Sequence, residues 1–374
     1  MYYYQPLGEF SWSTQTLYFY LAVIVACYFF SKQDQVIILL NRYTNTSSSW
    51  GMILVGGILV FVKGFSTTGK DLIQGYYLSF ESALSFKNIR DPTLEYGYQL
   101  LNIVIRNTVG QYWFFVLVIG LLTVIPVCQI VWKYHNEIDV SIAILMYVSI
   151  FYYPSFSLIR IYMASSIALF AFASMLYDKK IRALIYIIIA SFFHVSMLVL
   201  LIPYTIYFFK KISLGVWGVI LVLLTIIIFS SKSYLLGFFG GRYAGYALNN
   251  ASNGIGMEQF IYYVPIILLV LYGKYYDEDM SFYSLSMSYL MSGLFAGIIG
   301  YEITIFGRIQ AAFLPIIIIV AYYVQKIKTD SPYQGRFIEF LVIIYSLTRC
   351  VIYLSQYYNI DNIMPYTNIF NWII

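Results

Sequence analysis

The sequence predicts an all-α, polytopic membrane protein with about 11 or 12 transmembrane helices. Of its 374 residues, 61% are hydrophobic and 10% are charged, and the mean hydropathy is +0.76. A soluble fold of this composition would lack enough polar surface. Apolar segments long enough to cross a bilayer follow one another with short polar links. We therefore expect residues 1–374 to form a single integral membrane domain.

Ten apolar segments have the hydropathy of membrane spans. The segments lie near residues 15–31, 50–63, 111–132, 139–154, 158–177, 213–230, 258–273, 281–299, 303–325 and 337–356.

The three cysteines fall within apolar stretches and have neither metal-binding nor disulfide spacing, so we expect packing roles and no metal site.

The remaining stretch, from Ile181 to Phe209, is too long for one straight span and has basic clusters at both ends. A single crossing would place one cluster outside, against the positive-inside rule. If the chain rises to about His194 and returns as two short helices, both clusters are cytoplasmic, the count is twelve and both termini lie outside. A re-entrant pair lining a cavity is an equal alternative, because each half is shorter than a standard span. The clusters are Lys179, Lys180 and Arg182 before the stretch, and Lys210 and Lys211 after it.

This topology places three polar stretches on the outer face, where we expect the function to lie. They are residues 64–110, residues 231–257 and the tail after Tyr357. Periodicity around residues 72–85 predicts an amphipathic helix lying on the membrane within the first loop. The second loop is rich in glycine and asparagine, which is typical of a mobile loop that could close over a substrate.

Five short motifs occur in order between about residues 60 and 325. The motifs are GKD at Gly69–Asp71 with Tyr76 and Tyr77 shortly after, EYGYQLLN at Glu95–Asn102, RIYMASSIAL from Arg160, SFFHVSMLVLLIPY from Ser191 and FGRIQAAF from Phe306. Together they resemble the EpsG and Wzy-like family of bacterial polysaccharide polymerases; the ordered set is specific, whereas each motif alone is weak. One departure concerns the first motif, because family members often have an arginine ahead of a GTD-like triplet. Here the triplet is GKD and the nearest preceding basic residue is Lys63.

The resemblance implies a GT-C-like glycosyltransferase that joins oligosaccharide repeat units carried on undecaprenyl pyrophosphate. It would work at the outer face of the bacterial cytoplasmic membrane, in the synthesis of capsule, exopolysaccharide or O-antigen. It implies no cofactor, nucleotide sugar or obligatory metal. The expected partners are the lipid-linked oligosaccharide, membrane lipid, and other polysaccharide export and chain-length proteins. Nucleic acid is not an expected partner, because the net charge of +5 is modest and the basic residues are scattered.

Ionisable residues inside apolar spans are costly and mark candidate working sites. Arg160 and Arg308 lie near outer span ends, where a planar guanidinium would hold a diphosphate leaving group. The alternative for each is snorkelling to the interface. Arg242, in the second loop, is assigned the same binding role. His194 is a candidate general base for the acceptor hydroxyl, and its alternative is a buried histidine that stabilises the hairpin turn.

Glu95 and Asp71 are rival candidates for the general base, and either could instead bind sugar hydroxyls or cap the following helix. Tyr77, Tyr98 and Tyr243 lie in the outer loops, where their rings could stack on sugar faces. Most of the 40 tyrosines of the chain fit interfacial aromatic belts.

Two other functions would use similar groups. A flippase or transporter of a lipid-linked glycan would also bind the diphosphate through cations, and a glycan ligase would differ from a polymerase only in its acceptor. Transporters often contain internal repeats and bind substrate near the membrane midplane. No convincing repeat is present here and the polar residues gather on one face, which favours an enzyme.

Overall fold

The computed structural model describes residues 10–40, 50–89, 94–209, 213–230, 255–277, 279–302, 308–370 and 372–374. These residues form helices and connecting loops with isolated β-bridges near the C-terminus, so the all-α prediction is confirmed. Within the described ranges, five helices are long and apolar enough to cross a membrane. Five shorter apolar segments, together with α8 and α13, bring the apolar helical segments of the described residues to the predicted twelve.

The helices are numbered in chain order over the described residues. They are α1 (Thr14–Leu40), α2 (Trp50–Gly64), α3 (Tyr77–Glu81), α4 (Tyr96–Thr108), α5 (Tyr112–Lys133), α6 (Val140–Met146), α7 (Ile159–Leu176), α8 (Lys180–Phe193), α9 (Leu201–Phe208), α10 (Leu214–Ser230), α11 (Ile255–Gly273), α12 (Met280–Glu302), α13 (Ile316–Asp330) and α14 (Pro332–Tyr357). Short π-helical segments cover Leu72–Tyr76 and Tyr147–Tyr152, and 3-10 segments cover Pro154–Phe156, Val195–Leu200, Lys274–Tyr276 and Arg308–Phe313.

Two predicted spans are not continuous α-helices. The segment at 139–154 changes from α6 to a π-helix at Tyr147. The segment at 303–325 contains the 3-10 turn Arg308–Phe313, and α13 begins only at Ile316. Pro315 lies at the N-cap of α13, where its missing N–H costs no helical hydrogen bond.

The helix ends define two faces, named here the Arg160 face and the Lys133 face. Helix α7 runs from Arg160 at the first face to Leu176 at the second. The Lys133 ammonium, at the end of α5, lies 4.7 Å from the centroid of the Tyr177 ring just beyond α7. Lys328 lies at the same face, where its ammonium is 3.0 Å from a carboxylate oxygen of Asp139, the residue before α6.

The predicted hairpin at residues 181–209 is confirmed. Helix α8 ends at Phe193, His194 is extended, and the chain returns through a 3-10 turn and α9. The Lys180 ammonium lies 5.2 Å from the Phe208 ring, so the hairpin ends where it began, at the Lys133 face. Lys210 and Lys211 lie outside the described residues.

The helix bundle exposes apolar side chains where a lipid bilayer would contact it. Helix α10 is the extreme case, since Val219, Val222 and Ile227 are all exposed in the structure. An apolar surface of this kind is a liability in water and normal against lipid. The helices therefore describe an integral membrane protein by burial as well as by composition.

The first polar stretch folds into two surface helices where one was predicted. The predicted helix at 72–85 spans only Leu72–Glu81 and starts as a π-turn, with Leu72, Tyr76 and Phe80 buried at intervals of four residues. The Ser82 hydroxyl donates to the Ser79 carbonyl at 3.1 Å, and such local bonds compete with helix continuation. Helix α4 follows in the same loop.

The C-terminal tail packs against the first polar stretch. The Gly69 and Lys70 amides donate to the carbonyl oxygens of Asn362 and Asp361, both at 2.9 Å. Thr67 N donates to the Thr367 carbonyl at the same distance. Two of the three predicted outer stretches therefore lie together on the Arg160 face. The third, residues 231–257, lies outside the described residues except for the first residues of α11.

Candidate active site

Arg160 is held by three side chains from the first polar stretch. Its Nε donates to the Tyr76 hydroxyl at 2.9 Å, and its NH1 donates to a Glu95 carboxylate oxygen. The guanidinium carbon lies 5.5 Å from the ring centroids of both Tyr76 and Tyr98. The Arg160 and Glu95 side chains are only 11% and 15% exposed. Arg160 therefore clamps the loop onto α7 and does not simply snorkel to solvent.

Glu95 joins this clamp to the tip of the hairpin. The residue is at the N-cap position of α4, yet its side chain makes no capping hydrogen bond there. Its second carboxylate oxygen instead accepts from Val195 N at 3.2 Å. The hairpin tip approaches α4 closely, since a Cβ added at Gly97 would lie 2.8 Å from the Phe192 carbonyl oxygen.

His194 lies at the hairpin tip, next to the residue that binds Glu95. Its Nδ1 lies 2.6 Å from the Ser196 hydroxyl and accepts from Ser196 N at 3.3 Å, capping the following 3-10 turn. A neutral ring whose Nδ1 accepts carries its proton on Nε2. These contacts fit the hairpin-stabilising alternative, and the role of His194 as general base stays a prediction.

Arg308 supplies a second cation beside the clamp. It begins a 3-10 turn and is exposed. Its positive charge acts on Tyr76 and on Asp361 of the tail. Among the described residues, no carboxylate lies within 4 Å of its guanidinium. Arg308 thus offers a charge that a ligand could neutralise.

Two carboxylates, Asp71 and Asp361, share this region. Tyr353 donates its hydroxyl proton to an Asp361 carboxylate oxygen at 2.6 Å. Burial raises the pKa of Asp361 and the charge of Asp71 adds to the shift, while Tyr353 and Arg308 oppose it. A carboxylate with a raised pKa is a better proton acceptor near neutral pH than an ordinary aspartate.

Gly69 and Lys63 explain how the GKD loop is held. Gly69 has φ +119°, and an added Cβ would overlap the Phe156 carbonyl oxygen, so both backbone and space demand glycine. Lys63 is buried below this loop, and its ammonium donates to the Ser155 carbonyl and hydroxyl at 2.5 and 3.0 Å. Lys63, the nearest basic residue before the GKD triplet, therefore holds the turn against which Gly69 packs.

The predicted tyrosines divide by exposure. Tyr98 is fully buried against Arg160, whereas Tyr77 is half-buried and forms an edge-to-face contact with Tyr112 at 5.2 Å. Burial raises the pKa of Tyr76 and Tyr98, so both hydroxyls stay protonated. Arg242 and Tyr243 lie outside the described residues.

The structure gathers Arg160, Glu95, Asp71 and Arg308 on one face with His194 nearby, and it adds Asp361, which sequence reasoning missed. A signal for Asp361 existed, because it is the one acidic residue in the tail after Tyr357. Within the described ranges, no group of three or more His, Cys, Asp or Glu could hold a metal ion. Two cations, three carboxylates and neutral tyrosine hydroxyls can together hold an anionic group and accept a proton beside it.

Comparison with models of protein families identifies the family of this chain. The model of the EpsG family matches residues 49–368, a range that includes Lys63, Arg160, Arg308 and Asp361. No curated protein and no solved structure matches the chain.

Proposed function

Because the chain belongs to the EpsG family, we propose that it is a polymerase that joins oligosaccharide repeat units carried on undecaprenyl pyrophosphate. Family membership itself indicates a role in polysaccharide biosynthesis. The observation that carries the finer proposal is the cluster on the Arg160 face, where exposed Arg308 lies beside Asp361, Asp71 and the Arg160 clamp.

The distribution of basic residues supports an outward orientation of the Arg160 face. Lysines and arginines at the other ends of the helices fit a cytoplasmic surface under the positive-inside rule. In a bacterial cytoplasmic membrane the site would then meet substrates that have already crossed. The GT-C-like architecture belongs to the same proposal. The basic residues at the Lys133 face include Lys32, Lys133, Lys179, Lys180, Arg182 and Lys328.

In the proposed reaction, Arg308 holds the diphosphate of the donor. The bond between the anomeric carbon of the growing chain and the phosphate oxygen breaks, and undecaprenyl pyrophosphate leaves with the bonding electron pair. A hydroxyl oxygen of the incoming repeat unit forms the new bond to that carbon. Arg308 suits the developing negative charge because it is exposed and has no ion-pair partner among the described residues.

The acceptor hydroxyl must lose its proton to a nearby base. Glu95 is already committed to Arg160 and Val195, which makes it a positioning residue. Asp71 and Asp361 are the other carboxylates of the cluster, and Asp361 is the better suited because burial raises its pKa. Of the two predicted tyrosines that the structure describes, half-buried Tyr77 is more exposed than Tyr98 and is the one proposed to contact sugar.

Single replacement of Arg160, His194 and Arg308 by alanine tests the proposal. The readout is polymer length in the native host by gel ladder, with membrane expression confirmed. Arg336→Ala is the matched control, because Arg336 is an exposed arginine at the start of α14, away from the site. We expect Arg308→Ala to abolish the ladder while single repeat units are still delivered. Normal ladders in every variant would refute the site.

Two other outcomes would replace the polymerase proposal. Loss of even single units outside would indicate a flippase. Normal polymer that is no longer transferred to its final acceptor would indicate a ligase.

A further inference from the structure

A polar pocket opens on the Lys133 face, between the ends of α5 and α7 and the start of α8. Its volume is about 250 Å³ and its lining includes Lys133, Lys179 and Arg182 together with Tyr177 and Tyr186. A water molecule takes roughly 30 Å³ in the liquid, so the space admits a group of several heavy atoms. Nothing in the proposed polymerase reaction uses it.

The three cations have aromatic partners, and no carboxylate among the described residues lies close to them. Lys133 and Lys179 lie 4.7 and 5.7 Å from the Tyr177 ring centroid. Arg182 lies 5.6 Å from the Tyr186 ring and donates to its hydroxyl at 3.3 Å. The charge of Glu137 acts on Lys133, yet within the described ranges no carboxylate oxygen is within 4 Å of any of the three.

The position of these cations in the fold makes their clustering more unusual. The start of a helix favours negative charge, because its free N–H groups and dipole are positive there. Helix α8 has no acidic residue in its first turn and instead begins with Lys180 and Arg182. Three like charges and a helix start therefore converge on one cavity, and an anion would relieve the repulsion among them.

The pocket is separate from the candidate active site. Arg160 and Tyr177 are at opposite ends of α7, roughly 25 Å apart at 1.5 Å per residue. The apolar surface continues from the pocket along α8, because Ile181 and Ile185 are 76% and 49% exposed. A ligand with a charged head and an acyl chain would match both features.

We propose that this pocket binds the phosphate group of an anionic phospholipid from the leaflet at the Lys133 face. Arg182 and Lys133 contact the phosphate oxygens, the tyrosine rings flank the headgroup, and the acyl chain lies along the exposed isoleucines of α8. Basic pockets between transmembrane helices are known to take such headgroups. The inference does not depend on the polymerase activity.

The test measures the melting temperature of the purified full-length protein in an uncharged detergent. Phosphatidylglycerol, phosphatidylcholine and soluble glycerol phosphate are added separately to wild type and to Lys133→Gln/Arg182→Gln. Lys274→Gln is the control, because Lys274 is a basic residue outside the pocket whose ammonium also lies over a tyrosine ring, that of Tyr283 at 4.6 Å.

We expect phosphatidylglycerol, and not phosphatidylcholine, to raise the melting temperature of wild type and Lys274→Gln. The double variant should lose that rise. An equal rise in melting temperature with glycerol phosphate would show that the pocket binds a phosphate group from a soluble ligand and not from a lipid. An undiminished rise in the double variant, or no difference between the two lipids in wild type, would overturn the proposal. Lys179→Gln, in the surface turn, provides a milder second variant and should reduce the rise.

Discussion

Removal of the Glu95 carboxylate should break the ion pair that holds Arg160 against the first polar stretch. A second ion pair in the structure allows the size of this effect to be compared. The chain contains a second arginine–glutamate pair in the same loop, Arg106–Glu81, with an N–O distance of 3.1 Å. The side chains of that pair are 27% and 37% exposed, against 11% and 15% for Arg160 and Glu95. The two pairs thus differ mainly in burial.

The expected free energies follow from that difference. Removing one partner of a buried pair costs about 3–5 kcal/mol, because the other charge is left uncompensated. Arg160 keeps its bond to Tyr76 and its two ring contacts, so we expect the lower end, about 3 kcal/mol, for Glu95→Ala. Exposed pairs contribute about 0–1 kcal/mol, which is the expectation for Glu81→Ala.

The assay is the free energy of unfolding in mixed detergent micelles, measured as double-mutant cycles. The coupling energy between Glu95→Ala and Arg160→Ala should be about 2 kcal/mol or more, within the range found for contacting residues. The cycle of Glu81→Ala with Arg106→Ala should give less than about 1 kcal/mol. Equal coupling energies in the two cycles would refute the argument that burial strengthens the Arg160–Glu95 pair.

Three further predictions concern the Arg160 face. Arg308→Lys keeps the charge without the bidentate fork, so we expect shorter polymer than wild type on the gel ladder, though more than Arg308→Ala makes. Asp361→Asn should abolish polymer yet raise the melting temperature at pH 7, because burial raises the folded-state pKa of Asp361 and so disfavours its ionised form. The difference in melting temperature between Asp361→Asn and wild type should shrink as the pH falls through the raised pKa toward about 4, where the unfolded-state aspartate also becomes protonated. A difference that is independent of pH would contradict the raised pKa of Asp361. Gly69→Ala should lower the melting temperature strongly, because φ is +119° and the Cβ has no room, whereas Gly75→Ala, with open space around it, should change it little.

The hairpin shows how far charge and length can determine a membrane topology. Two basic clusters flank a stretch too long for one span, and a single rule about where such clusters reside predicts a turn near His194. The structure has the turn there because α8 ends at Phe193 and His194 is extended. Local chemistry that a hydropathy pattern does not report, such as Pro315 and the π-helix at Tyr147, interrupts two other spans.

The site shows where sequence reasoning stops. Arg160, Arg308 and Glu95 stand out in the sequence because charges are rare in this chain, and motif resemblance marks the same residues. Which of them bind each other depends on how residues 64–110 fold back over α7, a matter of side-chain packing and not of local pattern. Pairing makes Glu95 a partner of Arg160 and leaves Arg308 without a carboxylate among the described residues.

The sequence by itself determined that this is an all-α membrane protein of about twelve apolar segments, and it predicted that polar stretches gather on one face. These properties follow from composition, segment length and charge placement, which act locally along the chain, whereas the resemblance to the EpsG family rests on five ordered motifs. Only the tertiary structure brought Asp361 of the tail to Arg308 and to Asp71, the latter nearly 300 residues before it in the chain. It also placed three cations around the pocket on the Lys133 face. Contacts between distant segments depend on which helices pack together, and periodicity within a segment carries no information about that choice.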